Sequence, residues 1–230
     1  LYDWEAHAER GYSWWISRIE AAFSLADLVR IDHFRGFSEY WAVPARASTA
    51  EGGRWERGPG RRFFDAVEES LGELPIIAED LGFMTQDVHE LRDRYGFPGM
   101  KILQFAFEPG TDNADYPHNY PRNVVVYTGT HDNNTSAGWL AQASPEQAER
   151  ALAYVGGSTR DFAWNMVRTA WASPAALALA PMQDILGLGG ESRMNHPGRQ
   201  DGYWTWRMAP GALGPRLRRR LERLNTACFR

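Results

Sequence analysis

Cysteine is almost absent from this chain, and long apolar runs and an excess of basic residues are missing. The single cysteine, Cys228, excludes an intrachain disulfide framework and favours a reducing compartment, so we expect a cytoplasmic location. No apolar run reaches the roughly 20 residues of a transmembrane helix. The net charge of −4 indicates neither a nucleic-acid partner nor a membrane partner.

The motifs of two large enzyme classes are also missing. The glycines at 156–157 and 187–190 match neither the GxGxxG pattern nor a Walker phosphate loop. There is no GxSxG nucleophile elbow, and Cys228 lies in an amphipathic stretch at the end of the chain. A Ser or Cys nucleophile therefore has little support.

Ligands for a metal ion are sparse. HxH and HExxH spacings are absent. The adjacent acid and histidine pairs at 32–33 and 131–132 keep a zinc site open as an alternative, but Arg30 and Arg35 would place positive charge beside the metal. We therefore expect no metal and no dissociable cofactor.

Aromatic residues are unusually frequent, with 10 Trp, 11 Phe and 9 Tyr. Two interpretations stay open. The rings form a large aromatic core, or some of them line a groove that stacks on sugars.

Short apolar runs alternate with helical stretches along the chain. The runs predict buried parallel strands at residues 27–32, 75–79, 99–105, 124–128 and 179–183. Pro59 is predicted to start a helix and Thr85 to cap one. Two segments that begin at Ser144 and Ser158, SPEQ and STRD, are predicted to form capping boxes. The Gly- and Arg-rich stretch 47–60 predicts a surface loop. This alternation predicts an α/β fold with parallel strands.

Three of the predicted strands are followed by acid-bearing segments, RIDHFRG at 30–36, AEDLG at 78–82 and YTGTHDNNT at 127–135. The carboxyl ends of parallel strands converge on the active site in α/β folds, so these segments predict a carboxylate site. An alternative is that each acid caps the helix that follows it. The His and Arg residues that accompany the acids favour a functional site.

The spacing of the charged residues favours two kinds of carboxylate chemistry. Arg30 and Asp32 lie two positions apart, which places both side chains on one face of a strand. A neighbouring Arg stabilises an ionised carboxylate, the form that a nucleophile requires. Glu79 follows an apolar run, where burial would favour the protonated form that a general acid requires. Such a pair is typical of a retaining glycosidase-type site, whose carboxyl groups lie ~5–5.5 Å apart.

These three acid motifs, in this order, resemble the 4-α-glucanotransferase family of the amylomaltase type, a branch of the α-amylase clan. Further segments are similar to the same family: LYDW at 1–4, FPGMK at 97–101, PHNYP at 117–121 and RMNHPG at 193–198. The resemblance covers essentially the whole chain. It implies that a segment of an α-1,4-glucan or maltooligosaccharide is transferred, with retention, to the 4-hydroxyl of a glucose or glucan acceptor.

The resemblance also implies roles for individual residues. Asp32 would be the nucleophile, Glu79 the acid and then the base, and Asp132 the acid that stabilises the oxocarbenium-like transition state. Roles in orienting the nucleophile or binding the sugar are implied for three more residues: Arg30, His131 and Asn195.

For the fold, the resemblance implies strands four to eight of a (β/α)₈ TIM-type barrel with their surrounding helices. A complete barrel takes about 250 residues without large insertions. We therefore expect residues 1–230 to be a single catalytic-barrel portion, a fragment that lacks the N-terminal strands of the barrel. The first residue, Leu1, is not Met, in keeping with that expectation.

Two alternatives remain for the activity. A hydrolase of the same clan would use the same acids with water as the acceptor. A non-catalytic glucan-binding remnant would keep the aromatics and acids without a preorganised site, because an incomplete barrel leaves strand edges open.

Overall fold

The computed structural model describes residues 1–110 and 113–230. The chain divides into two compact units, Leu1–Met100 and Lys101–Arg230, and each combines helices with a parallel strand pair. None of the helices in the described residues combines the length and the apolar character that crossing a bilayer requires.

The first unit contains a parallel strand pair and an antiparallel hairpin. Its helices are α1 (Trp4–Glu9), α2 (Ser13–Phe23), α3 (Gly60–Leu71) and α4 (Gln86–Arg94). Its strands are β1 (Val29–Ile31), β2 (Glu39–Ala42), β3 (Arg54–Arg57) and β4 (Ile76–Ala78), and β5 (Gly99–Ile102) begins at its end. β1 runs parallel to β4, with Val29 opposite Ile76 and Ile31 opposite Ala78.

Aromatic side chains form much of the core of the first unit. One face of α3 carries Phe63, Phe64 and Val67, all fully buried. Phe34 and Phe97 are buried beside them, and their ring centroids lie 5.5 Å from that of Phe64. Burial of side chains of this size stabilises a fold by about 1.5–3 kcal/mol each. A large share of the aromatic excess therefore belongs to a core.

The second unit is built around a sheet that contains a parallel strand pair. Its strands are β6 (Val124–Tyr127) and β7 (Leu177–Leu179), in the strand order β5–β6–β7. Its helices are α5 (Ser136–Gln142), α6 (Pro145–Val155), α7 (Phe162–Ala172), α8 (Met182–Leu186) and α9 (Pro215–Cys228). The β-branched residues of β6 suit a buried strand. β6 runs parallel to β7, with Val125 opposite Leu177 and Tyr127 opposite Leu179.

Four of the five strand predictions are confirmed, although β1, β4, β5 and β6 are shorter than the predicted runs. Residues 103–105 of the third run belong instead to a 3₁₀ helix, Leu103–Phe107. The prediction of a strand at 179–183 is wrong, because β7 ends at Leu179 and α8 begins at Met182. Pro181 separates the two elements. It has no N–H to donate to a strand ladder, and it stands at the N-cap of α8.

The two predicted capping boxes differ in their outcome. Ser144 caps α6 with a complete box, in which the N–H of Gln147 donates to the Ser144 Oγ over 3.2 Å. The box predicted at Ser158 is wrong. A short 3₁₀ turn follows Ser158, α7 begins only at Phe162, and the Ser158 Oγ instead donates to Oδ2 of Asp161 over 3.4 Å.

The helix starts at Pro59 and Thr85 are confirmed, because these residues immediately precede α3 and α4. The Thr85 side chain occupies the N-cap position of α4 but forms no capping hydrogen bond there. The stretch 47–60, predicted as a loop, contains β3. This strand pairs with β2 and brings the ring centroids of Trp41 and Trp55 to 5.3 Å. The loop prediction is therefore wrong for β3. The Gly- and Arg-rich composition of the stretch gives no indication of the cross-strand contacts that stabilise the hairpin.

Candidate active site

Asp32 and Glu79 leave neighbouring parallel strands at the same end. Ile31 and Ala78 are opposite each other in the last register position of β1 and β4, and the two acids follow them directly. The N–H of Glu79 donates to the carbonyl of Ile31 over 3.0 Å, and the N–H of Phe34 donates to the carbonyl of Glu79 over 3.0 Å. Both acids therefore stand at the carboxyl end of one parallel pair, where active sites form in such folds.

Asp32 is held by an ion pair with Arg30. Nη2 of Arg30 lies 2.7 Å from Oδ1 of Asp32, which confirms that the two side chains share one face. The Asp32 side chain is 77% exposed, whereas that of Arg30 is 28% exposed. Nη1 of Arg30 also lies 3.9 Å from Sδ of Met100. A partly buried arginine side chain thus orients a carboxylate that solvent can reach.

Glu79 is held by two backbone amides. Its Oε2 accepts a hydrogen bond from the N–H of His33 over 2.8 Å, and its Oε1 accepts one from Leu81 over 3.0 Å. His33 adopts the left-handed conformation, with φ 49° and ψ 50°, and this turn directs its N–H toward the carboxylate. Burial was predicted for Glu79, and the structure shows it partly buried. The two donors were not predicted, because backbone N–H groups leave no signal in the sequence.

The adjacent acid, Asp80, has a different environment. It forms an ion pair with Arg92 of α4, and its Oδ1 accepts the N–H of Met100 over 2.7 Å. Its side chain is only 6% exposed. A Cβ atom on Gly99 would collide with the Asp80 carboxyl and approach the Arg92 guanidinium, so a side chain there would displace this ion pair. Asp80 therefore joins β4 to α4 and β5, while Glu79 remains available at the strand end.

In the second unit, Asp132, His131 and Asn195 lie together after β6. Nδ2 of Asn195 donates to Oδ1 of Asp132 over 2.6 Å, and Nε2 of His131 lies 3.5 Å from the other oxygen. The backbone N–H of Asn195 donates to the carbonyl of His131 over 3.0 Å. The side chains of Asp132 and His131 are about half exposed. Asn195, predicted from a different segment of the sequence, is thus in direct contact with the motif that carries His131 and Asp132.

Two further residues complete this cluster, and sequence reasoning assigned a role to neither. Arg193 donates to the carbonyl of Asp132 over 2.5 Å and to that of Asn195 over 2.8 Å. The half-exposed ring of Trp204 has its centroid 5.0 Å from that of His131. Arg193 belongs to the RMNHPG segment, whose similarity to the family could have identified it. Nothing in the sequence distinguishes Trp204 from the other nine tryptophans.

Asn133, the residue after Asp132, forms hydrogen bonds within the loop. Oδ1 of Asn133 accepts from the N–H and from Oγ1 of Thr130, over 2.9 and 2.8 Å. The carbonyl of Asn134 accepts from Nε2 of Gln104 over 2.8 Å. Asp132 thus projects from a loop whose neighbouring polar groups are already bonded.

The six residues predicted for the site fall into two groups, each within one unit. Arg30, Asp32 and Glu79 belong to the first unit, and His131, Asp132 and Asn195 belong to the second. Across residues 1–110 and 113–230, no three side chains among His, Cys, Asp and Glu form a group able to hold a metal ion.

Comparison with known proteins identifies one family. The model of the 4-alpha-glucanotransferase family matches residues 1–213. A 4-alpha-glucanotransferase of Thermus thermophilus is 48% identical over all of this chain and 48% of its own length. The chloroplastic/amyloplastic 4-alpha-glucanotransferase of Arabidopsis thaliana is 48% identical over 97% of this chain and 39% of its own.

A solved structure gives the same result. The amylomaltase from Streptococcus agalactiae in complex with acarbose matches 100% of this chain and 47% of its own chain, with 38% identity and a TM-score of 0.95. The chain therefore spans about half the length of the curated relatives it matches.

Proposed function

This chain belongs to the 4-alpha-glucanotransferase family, and on that premise we propose that it carries the catalytic acids of an enzyme that transfers α-1,4-glucan segments. The observation that carries the proposal lies within the first unit. Asp32 and Glu79 follow paired residues at the end of one parallel strand pair, Arg30 holds the first acid, and two backbone amides hold the second.

We propose that β1, β4, β5, β6 and β7 are strands four to eight of a (β/α)₈ barrel. The parallel pairing of β1 with β4 and of β6 with β7 supports this, as does the TM-score of 0.95 against about half of an amylomaltase chain. Residues 1–230 would then be one catalytic portion. The first three strands would come from an N-terminal remainder of the complete protein.

In the first chemical step, an Asp32 oxygen attacks the anomeric carbon of the glucosyl unit at the scissile bond. The bond to the glycosidic oxygen breaks, and that oxygen takes the proton of the Glu79 carboxyl. A β-glucosyl ester of Asp32 and a shortened glucan result. Arg30 orients the attacking carboxylate through their ion pair.

In the second step, the 4-hydroxyl of an acceptor transfers its proton to the Glu79 carboxylate. The acceptor oxygen attacks the anomeric carbon, the ester to Asp32 breaks, and an α-1,4 bond forms. Two inversions give overall retention, and both acids return to their starting states. The protons and electron pairs balance without a metal or cofactor.

Asp132, His131 and Asn195 are proposed to bind the sugar ring at the reacting centre. The Asp132 carboxylate favours the positive charge that develops on the ring in the transition state. Asn195 orients one oxygen of Asp132, and His131 donates to a sugar hydroxyl. The ring of Trp204 offers an aromatic face beside them.

The proposed substrates are α-1,4-glucans and maltooligosaccharides, with glucose or another glucan as the acceptor. Acarbose, which is bound by the amylomaltase from Streptococcus agalactiae, is proposed to compete with these substrates. The single cysteine favours a reducing compartment such as the cytoplasm.

The test is disproportionation of maltotriose by the complete gene product, whether or not it extends beyond these 230 residues. The expected products are glucose and oligosaccharides longer than maltotriose, and Asp32→Asn should abolish both. Asp27→Asn, an exposed acid in the same unit, is the matched control and should retain activity. Only shorter sugars would support the hydrolase, and near-normal transfer by Asp32→Asn would refute the assignment of the nucleophile.

A further inference from the structure

A buried carboxyl group joins the two ends of the segment that carries His131 and Asp132. We propose that Asp184 is a positioning residue that fixes this segment, residues 128–136, through Thr128 and Ser136. The inference rests on the proposed function, because that function gives Asp132 its role in the reaction.

The contacts of Asp184 use both of its oxygens. Oγ1 of Thr128 donates to Oδ2 of Asp184, and Oγ of Ser136 donates to the same oxygen over 2.8 Å. The backbone N–H of Ser136 donates to Oδ1 over 2.6 Å. Thr128 directly follows β6, and Ser136 is the first residue of α5. One carboxylate thus holds the point where the segment leaves the strand and the point where it enters the helix.

Burying a carboxyl group away from water costs free energy. Asp184 is 1% exposed, and Thr128 and Ser136 are fully buried. Burial raises the pKa of the Asp184 carboxyl, while the hydrogen bonds from Thr128 and Ser136 act in the opposite direction. A buried acid of this kind is tolerated only when donors satisfy it. The three donors that do so all belong to the two ends of one loop.

Asp184 acts on the site through these ends and not by direct contact. Asn195 and Arg193 hold Asp132 from one side, through the side-chain oxygen and the carbonyl. If the ends of the segment were free, only those contacts and the hydrogen bond from Gln104 to the carbonyl of Asn134 would position the loop from outside it. Misplacement of a catalytic group by about 1 Å can lower a rate about 100-fold.

The kinetic test compares Asp184→Ala with Asp184→Asn in the complete gene product. The side-chain amide introduced by Asp184→Asn can accept from the Ser136 N–H and donate to both hydroxyl oxygens, so this variant preserves the link without the charge. We expect Asp184→Ala to lower kcat at least about tenfold with KM changed less than about threefold. Asp184→Asn should recover most of kcat. Equal kcat for Asp184→Ala and wild type, per folded molecule, would overturn the proposal.

A second measurement is independent of activity. Hydrogen exchange of the backbone amides at 129–135 should accelerate in Asp184→Ala, while exchange in α7 stays as in the wild type. Ser144→Ala, which weakens α6 in the same unit, is the control and should not accelerate exchange at 129–135. Uniform acceleration across the second unit would indicate a merely structural role and overturn the proposal.

The two measurements separate this inference from the function on which it rests. If the wild-type protein transfers no glucan but Asp184→Ala selectively frees residues 129–135, the function is wrong and the loop restraint stands. If transfer is normal in the wild type and in Asp184→Ala, the function stands and the positioning role of Asp184 is wrong.

Discussion

Asn195 donates its amide hydrogen to Asp132 over 2.6 Å, although 63 positions separate the two residues in the chain. The same Asn195 donates its backbone N–H to the carbonyl of His131, and Arg193 binds the carbonyls of both Asp132 and Asn195. The segment around Asn195 therefore sets the orientation of Asp132. An Asp132 that is oriented before substrate arrives needs little reorganisation in the transition state.

The first prediction concerns Asn195→Ala. Loss of the amide leaves Oδ1 of Asp132 without its fixed donor, so we expect kcat for maltotriose disproportionation to fall about 10- to 100-fold. Arg199→Ala, an exposed position in the same segment, is the control and should stay within about twofold. Unchanged kcat in Asn195→Ala would show that this hydrogen bond does not orient a reacting group.

The second prediction separates the neighbouring acids Glu79 and Asp80. Glu79→Gln removes the proposed acid and base, so kcat should fall by a factor of about 100 to 10,000. Asp80→Asn breaks the ion pair with Arg92 and leaves a largely buried guanidinium without its carboxylate, so the free energy of unfolding should fall by about 2 kcal/mol with activity largely kept. Urea unfolding and maltotriose kinetics measure both variants. If Asp80→Asn were inactive but stable, and Glu79→Gln active but destabilised, Asp80 would be the acid and base and Glu79 the structural residue.

The strand ends that carry the site were predictable, but the distinction between adjacent polar residues was not. Apolar runs located β1, β4 and β6, and therefore the segments with Asp32, Glu79 and Asp132. The family resemblance assigned the catalytic role to Glu79, but local pattern alone does not distinguish it from Asp80. The physical difference arises from Arg92 and from backbone amides brought close by folding. Local pattern identifies a strand end, and tertiary partners decide which acid stays available.

Two other features show the same limit. The sequences at Ser144 and Ser158 both have the form of a capping box, yet only Ser144 forms one. Asp184 gave no signal at all, because a single acid in a short helix looks like an exposed residue until Thr128 and Ser136 are placed around it. Contacts between distant segments determine both outcomes.

The third prediction uses this matched pair of serines. Ser144→Ala removes a side-chain acceptor from the first turn of α6, so the free energy of unfolding should fall by about 1 kcal/mol. Ser158→Ala removes only the 3.4 Å contact between the Ser158 Oγ and Oδ2 of Asp161. It should change the free energy of unfolding by less than about 0.5 kcal/mol. Equal losses in urea unfolding would mean that the Ser158 box forms in solution.

The fourth prediction concerns pH. Burial raises the pKa of Asp184 in the folded chain above the ordinary value of 3.8, so the folded state binds more protons than the unfolded state in the range just above that value. The contribution of Asp184 to stability is therefore fully present below pH 3.8 and is lost as the pH rises through the folded pKa. The free energy of unfolding of the wild type, minus that of Asp184→Asn, should therefore decrease as the pH rises from 3.8 through the folded pKa of Asp184. A difference between the two that stays constant with pH would contradict the raised pKa.

The most direct test of the central claim is to trap the sugar on Asp32. Glu79→Gln should react with α-maltosyl fluoride, whose fluoride leaves without an acid, and should then fail to release the sugar because no base activates the acceptor. Trypsin cleaves after Arg30 and Arg35, and Asp32 is the one carboxyl side chain in the peptide 31–35. Mass spectrometry should find one maltosyl group on that peptide. A maltosyl group on another peptide, or labelling that persists in Asp32→Asn/Glu79→Gln, would contradict the account.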